Sequence, residues 1–122
     1  DGIRQVTKDH SYVEEMVSLG KMERGSEDYQ AKKNIITRAV GTKDALNIDF
    51  FEVTLSPGDY ILLCSDGLSN MVTDEEIHHI VTSDHTLKQK AEELVSEANH
   101  HGGKDNIAVI LIDPQLSEVR SC

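Results

Sequence analysis

Two uninterrupted apolar runs constrain the fold of this chain more than any other feature. Ile61-Leu62-Leu63-Cys64 breaks off at Ser65-Asp66-Gly67, and the six apolar residues at 107–112 follow Lys104-Asp105-Asn106. Short apolar runs bounded by turn residues predict strands covered on both faces, in the middle of a sheet. One run is followed by an aspartate and the other is preceded by one. If the two strands run antiparallel, the end of the first and the start of the second share an edge of the sheet, and Asp66 and Asp105 converge there.

The remaining pattern supplies helices and further strands. Residues 48–55 alternate through Phe51, Val53 and Leu55, and Ser56-Pro57-Gly58-Asp59 has the residues of a tight turn, so a hairpin onto 60–65 is expected. Residues 3–7 also alternate, after an Asp1-Gly2 pair suited to a hairpin turn whose first strand would lie upstream. Ser11 with Glu14 and Thr73 with Glu76 have capping-box spacing, so helices are expected to open at both places, the first closed by Gly20. Ile77, Ile80 and Val81 share one helical face, and Leu87, Ala91, Leu94, Val95 and Ala98 share another that stops at His100-His101-Gly102-Gly103. Residues 21–34 are polar and aperiodic, which predicts an irregular or short-helical surface excursion. Strands and helices are grouped and do not alternate one by one, so the expected class is α+β, with layers of helix against antiparallel sheet.

Length and charge narrow the function. The 122 residues suit one domain, with no repeat or linker to divide them. A net charge of −10 repels a phosphate backbone, and aromatics at 4% with no Trp leave no base-stacking surface, so nucleic acid is not an expected partner. No apolar stretch is long enough to span a bilayer, so no membrane partner is expected either. Two cysteines, Cys64 and Cys122, make neither a disulfide framework nor a zinc motif, which fits a cytoplasmic location.

Asp66 and Asp105 each have an ordinary explanation as turn residues. As a converging pair they would repel one another unless a cation or a proton lay between them. Carboxylate oxygens without cysteine or clustered histidine favour magnesium or manganese over zinc.

Four stretches, "VTKDHSYVEEMV", "NIITRAVGT", "GDYILLCSDGLSN" and "GGKDNIAVILI", resemble in order four motifs of the type-2C, metal-dependent protein serine/threonine phosphatases, especially the compact bacterial members. The resemblance implies a layered α-β-β-α sandwich of antiparallel sheets flanked by helices, present in residues 1–122 as an incomplete, C-terminal half. It implies that Asp66 and Asp105 are metal ligands of a binuclear magnesium or manganese centre, with metal-activated water, and no side chain, as nucleophile. The implied substrate is a phosphorylated protein. Residues 17–34 would be the flap beside the active site. The family's N-terminal half, with a further Asp-Gly motif, a Gly-Asp-Ser motif and a phosphate-holding arginine, has no counterpart here. The expectation is therefore an inactive piece that pairs with the missing N-terminal half or with a second copy of itself. The alternative is a noncatalytic phosphatase-like module that binds or regulates a partner, although such a module has no reason to keep two repelling carboxylates at one edge.

Other polar residues have simpler expected roles. His10 is expected to make a structural hydrogen bond, Arg38 a structural ion pair, and Cys64 to be a small buried hydrophobe. His78-His79 and His100-His101 are neighbours about 100° apart on helices and do not chelate together, so capping or solvent exposure is expected for them. Asn70 stands where many relatives of that family carry aspartate, and being neutral it is not a candidate ligand.

Overall fold

The computed structural model describes residues 2–115; the expected Asp1-Gly2 turn lies partly, and Cys122 wholly, outside the described residues. The elements run α1 (Tyr12–Ser18), α2 (Glu27–Lys32), β1 (Ile61–Cys64), α3 (Asp66–Ser69), α4 (Asp74–Val81), α5 (Leu87–His100) and β2 (Val109–Ile112). They fall into two compact units, one holding Gln5–Val53 and the other holding Thr54 onward with the first few residues.

In the larger unit β1 and β2 pair antiparallel, with Ile61 opposite Ile112, Leu62 opposite Leu111, Leu63 opposite Ile110 and Cys64 opposite Val109. Side chains alternate across a strand, so Leu62, Val109 and Leu111 point to one face of the pair. That face meets the core. Leu68, Val72, Ile77, Leu94 and Ala98 form its centre, with Leu62, Ile80, Val81, Ile107 and Val109 packed around them. The other face is open: Leu63 is 52% and Ile110 61% exposed. The expectation that both strands are covered on both faces is thus corrected, and Cys64 is exposed, not buried. A continuous apolar run marks two faces that favour burial but does not supply the second layer.

The helices begin where their caps were expected. Thr73 Oγ1 accepts from the Glu76 amide at 3.2 Å, and Ile77 on the inward face of α4 is 4% exposed. Thr86, which the periodicity alone did not single out, forms a full capping box with Gln89 at the start of α5. Lys90 of α5 is buried, its ammonium 4.6 Å from the ring centre of Tyr60 and donating to the Tyr60 hydroxyl at 3.3 Å. A buried cation is tolerated there because an aromatic face and a hydroxyl replace water.

In the smaller unit Ser11 caps α1, its Oγ accepting from the Glu14 amide at 3.3 Å. Gly20, at φ 73°, ends the helix as expected, with the Lys21 amide bonded to the Met16 carbonyl at 2.9 Å. The other half of the expected capping box is absent. Glu14 is buried and accepts from Arg24 Nη2 and the Tyr29 hydroxyl, each at 2.7 Å. That hydrogen bond to Glu14, with burial, raises the Tyr29 pKa above its usual value. Tyr29 belongs to α2, the short helix inside the polar stretch expected to be irregular or short-helical. His10 Nε2 meets Asp49 Oδ2 at 2.6 Å and Arg38 Nη1 donates to Asp49 Oδ1 at 3.2 Å, so both residues have the structural roles expected of them.

Two expected strands do not form. Residues 3–7 and 48–55 have no strand ladder among the described residues. The turn between 48–55 and β1 does close, with Gly58 at φ 88° and the Asp59 amide on the Ser56 carbonyl at 3.1 Å, yet no hairpin extends from it. Alternation says which residues would share a face; a strand also needs a paired neighbour, and β1 takes β2. The observed α+β class is as expected, carried by one small antiparallel pair beside helices.

Candidate metal centre

The antiparallel register places the end of β1 beside the start of β2, and Ser65 fastens the two. Its amide donates to the Ala108 carbonyl at 2.9 Å, its Oγ accepts from the Ala108 amide at 3.0 Å, and the same hydroxyl donates to the Asn106 carbonyl at 3.1 Å. Ser65 is also the N-terminal flanking residue of α3, so the chain turns from strand into helix at that point.

Gly67 completes the contact. A Cβ built on it would overlap the carbonyl oxygen of Asn106 and lie 2.9 Å from its carbonyl carbon. Only glycine lets the first turn of α3 and the Asn106 backbone approach so closely. Asp66 therefore sits between two residues that both touch Asn106, and Asp105 immediately precedes Asn106. Both carboxylates are exposed. Asp105 Oδ1 accepts from the Asn106 amide at 2.7 Å, which orients its carboxylate. The turn that delivers Asp105 follows α5: Gly102 (φ 123°) and Gly103 (φ 51°) leave the helix, the Gly103 amide still bonded to the Ala98 carbonyl at 3.1 Å.

The donor chemistry at this edge suits a hard divalent cation, since both groups offer carboxylate oxygen. It is also incomplete. Among the described residues, neither Asp66 nor Asp105 belongs to a group of three or more histidine, cysteine or acidic ligands, whereas a magnesium ion takes six oxygens.

A second titratable cluster was not foreseen. His101 Nε2 lies 2.9 Å from Glu97 Oε1 and 3.1 Å from Glu76 Oε2. His101 flanks the end of α5 and is exposed, as expected, and it also joins α5 to α4. The hydrogen bond to Glu97, helped by the charges of Glu76 and Glu97, raises the His101 pKa. The Thr73 hydroxyl, with His101, lowers that of Glu76. The cue in the sequence is the spacing of four between Glu97 and His101 on one helix, not the adjacency of His100 and His101.

No protein-family model matches the chain. It is 40% identical over 116 residues to the serine/threonine phosphatase Stp of Listeria monocytogenes, and 48% identical over 108 residues to the protein phosphatase PhpP of Streptococcus pneumoniae. These matches cover 95% and 88% of this chain, and 46% and 44% of the relatives. Among solved structures, the Streptococcus agalactiae serine/threonine phosphatase superposes with a TM-score of 0.80 at 38% identity, over 87% of this chain and 44% of that one. The Mycobacterium tuberculosis serine/threonine phosphatase PstP superposes with a TM-score of 0.74 at 30% identity, over 88% and 45%. Sequence and fold agree over nearly all of this chain, which corresponds to a little under half the length of a bacterial serine/threonine phosphatase of the type-2C family.

Proposed function

We propose that this chain is the C-terminal half of a metal-dependent phosphatase domain that removes phosphate from phosphoserine and phosphothreonine in cytoplasmic proteins, and that it is inactive alone. The observation that carries the reading is the contact of Gly67 with Asn106, which holds Asp66 and Asp105 at one end of the β1–β2 pair. Relatives named as serine/threonine phosphatases over the same residues support it.

In this reading Asp66 and Asp105 hold magnesium or manganese, in a binuclear centre that the other half of the domain completes. Bound ions would supply an acidified water and neutralise charge on the phosphate. The work of this chain is positional. Ser65 ties the Asn106 backbone to the end of β1, and the Asn106 amide orients the Asp105 carboxylate, so the two aspartates are carried on segments that are fastened together. Ser65 Oγ is engaged with Ala108 and Asn106, so it is assigned no nucleophilic role. Residues 17–34 take the part of the flap. The exposed Leu63, Ile110 and Ile112 face would be covered by the other half or by a second copy.

The test is an assay with manganese and a phosphothreonine peptide, using the chain alone and mixed with the N-terminal half of the pneumococcal relative. Turnover is expected only in the mixture, and Asp66→Asn or Asp105→Asn should reduce it by at least about 100-fold. Turnover by the chain alone, abolished by Asp66→Asn, would overturn the inactivity. Full activity of both variants in the mixture would overturn the ligand assignment.

A further inference from the structure

We propose that Glu76, Glu97 and His101 form a binding site for a divalent transition-metal ion of the zinc class, which ties the first turn of α4 to the end of α5. The three side chains each present one ligand atom, and these atoms all lie within 4.8 Å of one another. Glu97 and His101 are four residues apart, on one face at the end of α5, and Glu76 reaches them from the first turn of α4.

The spacing of the histidine from the two carboxylates is close to a coordinated one. A tetrahedral zinc ion with bonds of about 2.0–2.1 Å keeps its ligand atoms roughly 3.3–3.4 Å apart. His101 Nε2 already stands 2.9 Å and 3.1 Å from the two carboxylates, so widening by a few tenths of an ångström admits the ion in place of the shared proton. Two carboxylates and a neutral imidazole carry a charge of −2, which a divalent ion cancels. The donor set selects among ions, because imidazole suits zinc and its neighbours while magnesium and calcium prefer oxygen alone.

Surrounding groups orient the ligands. The Thr73 hydroxyl donates to Glu76 Oε1 at 3.0 Å, leaving Oε2 turned to His101, an outer-shell contact of the kind that fixes metal-binding carboxylates. The C-terminal end of the α5 dipole adds negative potential. Side chains between 35% and 40% exposed leave an approach for the ion and room for a water as fourth ligand.

The experiment is calorimetric titration of zinc into the full chain carrying Asp66→Asn and Asp105→Asn, so that the aspartate pair cannot account for binding. Saturable binding is expected, and adding His101→Ala or Glu97→Gln should weaken it roughly tenfold or more. Nitrogen-15 NMR of the unsubstituted chain provides a second measurement independent of how the variants fold: zinc should move the His101 Nε2 resonance to a metal-bound position. Absence of zinc binding, binding indifferent to both substitutions in folded protein, or an unmoved His101 ring would each overturn the proposal. No readout involves turnover, so the result is independent of the phosphatase assay.

Discussion

At the scale of single residues, Gly67 is the most tightly enclosed glycine among the described residues. Its missing Cβ is what lets the Asn106 carbonyl rest on the first turn of α3. Gly67→Ala is expected to destabilise the chain by about 1–3 kcal/mol, because the clash is with backbone and cannot be relieved by a rotamer. Thermal unfolding measures this, and an unchanged midpoint would show that the two segments separate freely. Hydrogen bonds from His10 and then Arg38 lower the Asp49 pKa below the ordinary 3.8. Its contribution to stability is therefore present above that ordinary value and disappears as pH falls through the lower folded one. Thermal midpoints recorded from pH 6 down to 2 should show an acid decline that is shallower in Asp49→Asn.

At the scale of elements, the helices illustrate how much of the fold is written locally. Ser11, Thr73 and Thr86 each cap the helix that follows, accepting from an amide three residues on, and such a bond depends on nothing distant. Thr86 and Gln89 complete the full box with a glutamine at its third position, a pattern that apolar spacing does not mark. Helix α5 owes its place to packing: Leu94 is fully buried beneath it, in contact with the core of the larger unit. Leu94→Ala should cost about 2–5 kcal/mol, read as a lower urea midpoint. Thr86→Ala should cost only about 1 kcal/mol by the same measurement. Were the cap the costlier of the two, α5 would be held by its own ends more than by the core.

At the scale of the whole molecule, the outer face of the β1–β2 pair has the greatest consequence. Leu63, Ile110 and Ile112 stand exposed side by side, on a pair that no third strand joins among the described residues. The chain is expected to self-associate at micromolar concentrations, seen by light scattering, and Ile110→Lys should shift it toward monomer. A monodisperse unsubstituted monomer would count against a second copy as the covering layer on this face.

The caps at Ser11 and Thr73, the turns at Gly20 and Gly58, the two apolar strands and the aspartates at their ends were legible in the sequence, because these depend on residues a few positions apart or on a simple period. The sequence also carried the family likeness, since ordered motifs survive independently of packing. Tertiary structure alone decided the rest. Whether 48–55 became a strand depended on a partner and not on its alternation, and which strand faces were covered depended on how many layers were present. Glu14 met Arg24 and Tyr29 in place of its own helix start, and Glu76 met His101 across two helices, 25 positions apart. A charge takes whichever partner the packed chain brings nearest, and no local pattern records that distance.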